Sequence, residues 1–225
     1  MEPKSEDLYW AAIVRHRWWS WIDGPELSLW QEREGFDGAA VLRVAGAYSV
    51  RRGLNLPGGD AAPLAKHLNV ELRRLPDDLL KRAEQLDALA QSIADFTHKT
   101  QISAVSKFAW FAKPDGWTVF DRDASRALGT REHLAFYRKL KTLGFAETVK
   151  KLADVLARNN LAEICAERVI DQYLLLRRRE NSKSIRELAR GYLNILPENL
   201  AGSLREAAGQ IENAIRGDRI IQESI

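Results

Sequence analysis

Apolar residues recur at three- and four-residue spacing along most of the chain, and this predicts a protein built of helices. From Asp7 to Trp21 the face carries Tyr9, Ile13, Trp18 and Trp21, and Asp23-Gly24-Pro25 ends it. A second helix is predicted from Pro25 to Glu34, before Gly35. A third runs from Gly38 to Val50 and ends near Arg51-Arg52-Gly53. Leu54 to Pro63, LNLPGGDAAP, is the clearest loop. Helix returns over 62–73. Pro76-Asp77-Asp78 then opens the longest helix, which reaches Phe96 along a face of Leu79, Leu80, Ala83, Leu86, Leu89, Ala90 and Ile93. Further helices are predicted at 103–112, 122–129, 131–142, 145–158, 161–178, 183–195 and 200–216. Thr118-Val119-Phe120 is extended but too short for a sheet, and no strand pair is predicted. The expected fold class is all-α: one compact helical domain over 1–225 with two lobes. The loop at 54–63 is a candidate junction for an N-terminal subdomain, 1–53.

Composition narrows the function classes. Hydrophobic residues are 45% of 225, enough for an ordinary core. A net charge of +3 permits a polyanionic partner without demanding one, because clustering matters more than the total. The single cysteine, Cys165 in ICAERV, reads as a buried structural thiol on an apolar helical face. His16, His67, His98 and His133 lie far apart and form no ligand pair, so no metal or cofactor is expected. The start, MEPKSEDLYW, is charged, and no apolar run is long enough to span a bilayer. A cytoplasmic protein with no membrane partner is the expectation, with oligomeric state left open; the C-terminal IRGDRIIQESI could dock on another subunit or on its own domain.

The chemistry concentrates in Ser106 to Leu128, SKFAWFAKPDGWTVFDRDASRAL. Lys107 opens an aromatic-rich helix, Pro114-Asp115-Gly116 reverses the chain, and Asp121 follows fourteen positions after the lysine. The turn can bring the carboxylate back toward the start of the lysine helix, where an anion is favoured. A lysine amine can act as a nucleophile, and a carboxylate can stabilise a developing sugar cation. The plainer alternative is that Lys107 is solvated and that Asp121 and Asp123 cap the next helix. Trp110 and Trp117 flank the turn and could stack on an extruded base or belong to the core. Basic clusters stand at Arg15/Arg17, Arg51-Arg52, Arg73-Arg74, Arg138-Lys139-Lys141, Lys150-Lys151 and Arg177-Arg178-Arg179. They read as solvated helix faces, or as a phosphate track if several share one side.

This segment resembles the catalytic region of the helix-hairpin-helix DNA glycosylase superfamily, most closely bacterial 8-oxoguanine DNA glycosylase-like proteins. Their pattern is Ser-Lys, an aromatic-rich helix, Pro, and an extended aromatic-Asp-x-Arg/Asp stretch. ERVIDQYLLLRRR, from Glu167 to Arg179, is similar to that group's Arg-x-x-Asp-x-x-Leu helix. The resemblance implies a helix-hairpin-helix glycosylase-like fold and a DNA partner, double-stranded with a flipped base. It also implies DNA repair chemistry that excises a modified or damaged base, with AP-lyase activity as an option. Lys107 would be the Schiff-base lysine or a site cation, and Asp121 the catalytic aspartate. Arg122, Asp123 and Arg126 would support them, and Trp110 or Trp117 would line the pocket. Residues 98–105 hold no glycine in place of the superfamily's Leu-Pro-Gly-x-Gly hairpin, and Lys99 is the alternative lysine. Leu56-Pro57-Gly58-Gly59, with Lys66 downstream, mimics that hairpin but reads as a plain loop. The rival function is a non-catalytic helical module that binds nucleic acid or a protein partner, in a bacterial stress or defence setting.

Overall fold

The computed structural model describes residues 6–54, 56, 59–178 and 182–224. These are helical in the main, with no strand among them. In chain order the first helices are α1 (Glu6–Trp18), α2 (Gly24–Arg33), α3 (Gly38–Ala47), α4 (Arg51–Leu54) and α5 (Ala62–Leu72). Next come α6 (Leu79–Ser92), α7 (Ala94–Thr97), α8 (Ile102–Ala112), α9 (Arg122–Ala127) and α10 (His133–Thr142). The last are α11 (Phe145–Arg158), α12 (Ala166–Arg178), α13 (Ser182–Ile195), α14 (Glu198–Ile215) and α15 (Arg219–Gln222).

The chain groups into two compact units, one of residues 1–20 with 121–225 and one of 21–120. The boundaries therefore fall at 20/21 and 120/121. Residues 21–53 group with the chain that follows the 54–63 loop, so the candidate subdomain 1–53 does not form a unit. Within that loop, Asn55, Pro57 and Gly58, and with them the Leu56–Gly59 hairpin mimic, lie outside the described residues, as does Arg179.

Three helix ends differ from the periodicity. Asp23-Gly24-Pro25 does not stop the first helix: residues 19–23 widen into a π-helical turn that runs into α2. Pro25 sits in the first turn of α2, where its missing N–H is not needed. The long helix expected from Pro76 to Phe96 breaks at Ile93 into α6 and α7, and α12 begins only at Ala166. Cys165 accordingly sits in the turn before α12, not on a helical face. Its burial pushes the thiol well above its ordinary range, which leaves it a poor nucleophile.

In the unit formed by 21–120, α8 is the central helix, packed by α2, α3, α5 and α6. Its ISAVSKFAWFA sequence is apolar on nearly every side, as such a helix must be. Phe36 meets Trp30, Phe108 and Phe111 edge to face, with centroids 4.6, 5.6 and 6.0 Å away. Beyond α8 the chain turns at Gly116, whose φ of 78° suits glycine, and Trp117 to Phe120 return buried and outside any helix. The turn is held by Arg82 of α6, itself buried. Its guanidinium donates to the carbonyls of Pro76, Asp77, Lys113 and Asp115 and lies 5.2 Å from the centre of the Trp117 ring. The Trp117 indole N–H donates to Lys113 O, and Lys113 Nζ reaches Leu75 O.

In the other unit, α12 packs against α1, α9, α11 and α13, and α14 against α1 and α11. Arg168 and Asp171 of α12 pair at 2.6 Å, both buried. His133 is also buried and meets Tyr137 edge to face, with centroids 4.9 Å apart.

Two outcomes follow. Arg82→Met removes the shared donor for four backbone carbonyls and leaves a gap beside Trp117, lowering urea-derived stability by about 3 kcal/mol; Arg82→Lys recovers little, since an ammonium lacks the planar fork. Burial lowers the His133 imidazole from its ordinary 6.5 to about 4. Its depressed folded value makes the associated stability present above pH 6.5 and lost as pH falls toward 4, by up to roughly 3 kcal/mol. Urea titrations across that window should show the loss, and His133→Phe should flatten it.

Candidate functional site

The site begins with an interruption in an apolar helix. Ser103, Ser106 and Lys107 are spaced three and four apart, so they share one side of α8. The returning segment lies against that side. Phe120 N–H donates to Ser106 Oγ at 3.2 Å, and Phe120 C=O accepts from Ser106 Oγ at 3.3 Å and from Lys107 Nζ at 3.2 Å. Lys107 Nζ also donates to Ser103 Oγ at 2.8 Å and Ser103 O at 3.2 Å. The ammonium is 4% exposed as a residue and stands 6.0 Å from the Tyr48 ring centre. Tyr48 in turn donates its hydroxyl proton to the buried Asp23 at 2.5 Å.

Lys107 therefore lies in the middle of α8 rather than opening it. A nucleophilic amine must shed a proton and present its lone pair. This amine instead directs its protons at three oxygens, which is the arrangement of a structural cation.

Phe120 is followed directly by Asp121, the N-cap of α9, whose Oδ1 accepts Asp123 N–H at 2.9 Å. Its main-chain carbonyl accepts Ser125 N–H, so Asp121 starts the helix in both ways. Asp121 is half-buried. Asp123 pairs with Arg126 at 3.4 Å across an exposed surface, and Arg122 is exposed beside them. Ion pairs in such settings add little stability.

The expected aromatic wall is not there. Trp110 and Trp117 are 0% and 1% exposed. Trp110 is buried because α8 is covered on every side, and Trp117 because it fills the space under Arg82. Neither offers a face to a base, which corrects their assignment as substrate-binding residues. Lys99, the alternative lysine, is exposed in the turn between α7 and α8. A cleft of about 540 Å³ in the same unit is walled by Leu27, Trp30, Leu72, Phe111 and Lys113 among others, and Lys107 is not in its wall. No cluster of metal-ligating side chains occurs among the described residues. No helix among them is long and apolar enough to cross a membrane.

Ser103, Ser106 and Tyr48 were missed in the sequence. The two serines had a signal: polar residues at i and i+3, flanking a lysine at i+4, in an otherwise apolar helix. No family model, curated protein or solved structure matches this chain.

Ser106→Ala should leave the Phe120 amide without its acceptor. The expected result is a loss of about 1–3 kcal/mol in stability and faster hydrogen exchange at Phe120 than at neighbouring amides.

Proposed function

We propose that this protein is a DNA N-glycosylase that releases a modified or damaged base from double-stranded DNA without cutting the strand. The observation that carries the reading is the hold of Ser106 and Lys107 on the Phe120 peptide, one residue before Asp121. A carboxylate serving a sugar cation must be fixed before the reaction, because reorganising it later forfeits the stabilisation. Asp121 is fixed from behind by Phe120 and from ahead by its own cap on α9. The resemblance of Ser106–Leu128 to the glycosylase superfamily supplies the substrate class.

In this mechanism the bond from C1′ to the base nitrogen breaks, and its electron pair leaves with the base. The Asp121 carboxylate stabilises the oxocarbenium-like sugar. Water then adds to C1′, and its proton goes to the departing base, whose nitrogen carries the electron pair of the broken bond. Lys107 is a positioning residue, acting on Asp121 through the Phe120 carbonyl. Its engagement with three oxygens disfavours a Schiff base, hence the absence of strand cleavage.

The burial of Trp110 and Trp117 favours a second reading, a non-catalytic nucleic-acid- or protein-binding module. Base release from a panel of modified-base duplexes separates the two. The enzyme reading expects release by the wild type, a drop on the order of 10²–10⁴-fold in Asp121→Asn, and no borohydride crosslink. No release from any duplex in the panel would leave the binding module.

A further inference from the structure

The Arg51-Arg52 pair and Lys99 have no part in the site above, yet the fold brings their segments together. The short helix α4 packs against α7. Gln101, just ahead of α8, donates from Nε2 to Gly53 O at 2.6 Å. Gly53 leaves room for that contact, since a β-carbon there would lie 2.6 Å from the end of the Gln101 side chain. The turn between α7 and α8 is equally fixed. His98 takes a left-handed φ of 57°, and Thr97 Oγ1 bonds both Ile93 O and Lys99 O, at 3.0 and 2.7 Å.

The result is one edge on which Arg51, Arg52, His98, Lys99 and Thr100 are all exposed. Arg51, Arg52 and Lys99 make no ion pair among the described residues. Elsewhere in this unit Arg33, Arg43, Arg74 and Lys113 are matched to Asp37, Glu26, Glu71 and Asp77. Asp95 on α7 is exposed but is bonded to none of the three. Three positive charges thus stand without an ion pair among the described residues, on segments tied together by Gln101 and by the Thr97 turn.

We propose that this edge binds the phosphodiester backbone of a nucleic acid. Adjacent guanidiniums can each fork onto a phosphate, and the lysine adds a point charge alongside. Each phosphate neutralised releases condensed counterions, which is the main source of sequence-independent affinity. A membrane fits less well. The large exposed apolar side chains are Trp21, Val70, Leu188 and Ile195, none of them on this edge, and surface-seated proteins need such groups to insert. The choice of nucleic acid rests on the DNA-directed reading above; it does not require catalysis at Asp121.

The test is fluorescence anisotropy of the full chain with a labelled, undamaged duplex of about 20 base pairs, between about 50 and 200 mM salt. Arg51→Ser/Arg52→Ser should weaken binding about 10-fold or more and reduce the slope of log K against log salt by about 2. Lys99→Glu should shift both in the same direction, while an Arg138→Ser/Lys141→Ser control on α10 should shift them less. Unchanged thermal melts would show that the variants fold, as exposed positions allow, and Lys99→Glu carries the test if the double variant does not. The proposal is overturned if the wild type fails to bind the duplex, if affinity and slope survive the substitutions, or if phosphatidylserine vesicles are bound more tightly than DNA. The duplex offers no base to excise, so failure of the glycosylase reading would leave this result standing.

Discussion

A non-helical peptide inside a helical protein must find partners for N–H and C=O groups that neither its own turn nor a neighbouring strand will supply. Residues 117–120 are in that position: buried, outside any helix and without a sheet. An unpartnered buried amide or carbonyl costs about as much as several good packing contacts return. The solution here is a set of polar side chains on the flanking helices. Ser106 and Lys107 meet the N–H and C=O of Phe120, and Arg82 collects the carbonyls of Lys113 and Asp115 at the turn that leads into the segment. The polar residues of these otherwise apolar surfaces exist to make the return of the chain possible, and the return delivers Asp121 to the start of α9.

That constraint also explains the fate of the aromatics. Once α8 is enclosed by four other helices, a tryptophan on it can only be core. Once an arginine must lie over the turn, its apolar stem and delocalised charge need a large flat partner, which Trp117 supplies. Aromatic residues beside a candidate site suggest stacking on a ligand. Here the same residues are the packing against which the site's backbone is fixed.

The helical class was plain in the sequence because periodicity reports burial directly. Residues 145–158 form the helix that their spacing indicates, and Asp37, Asp78 and Asp121 cap helices at their beginnings. What periodicity could not register was a change in helical pitch, as at 19–23, or the loss of a single turn at Ile93, since neither moves the apolar face far. The division of the chain was hidden for another reason. Pro and Gly mark loops, but the boundaries at 20/21 and 120/121 carry no loop composition, because one lies in a π-helical turn and the other is the peptide bond ahead of a cap. Lys107 and Asp121 were legible as unusual residues. Their roles depend on who holds the Phe120 peptide, and hydrogen bonds across fourteen residues leave no pattern in one sequence.

The discontinuous unit imposes an order on synthesis. Residues 21–120 are contiguous, and α8 can collect its partners as soon as it leaves the ribosome. Helix α1 is made earlier, and it buries Leu8, Ala11, Ala12, Ile13 and Val14. The helices that cover it within its unit, α12, α13 and α14, begin only at Ala166, Ser182 and Glu198. Until those helices emerge, these apolar side chains of α1 lack their neighbours and are open to chaperones or to other nascent chains.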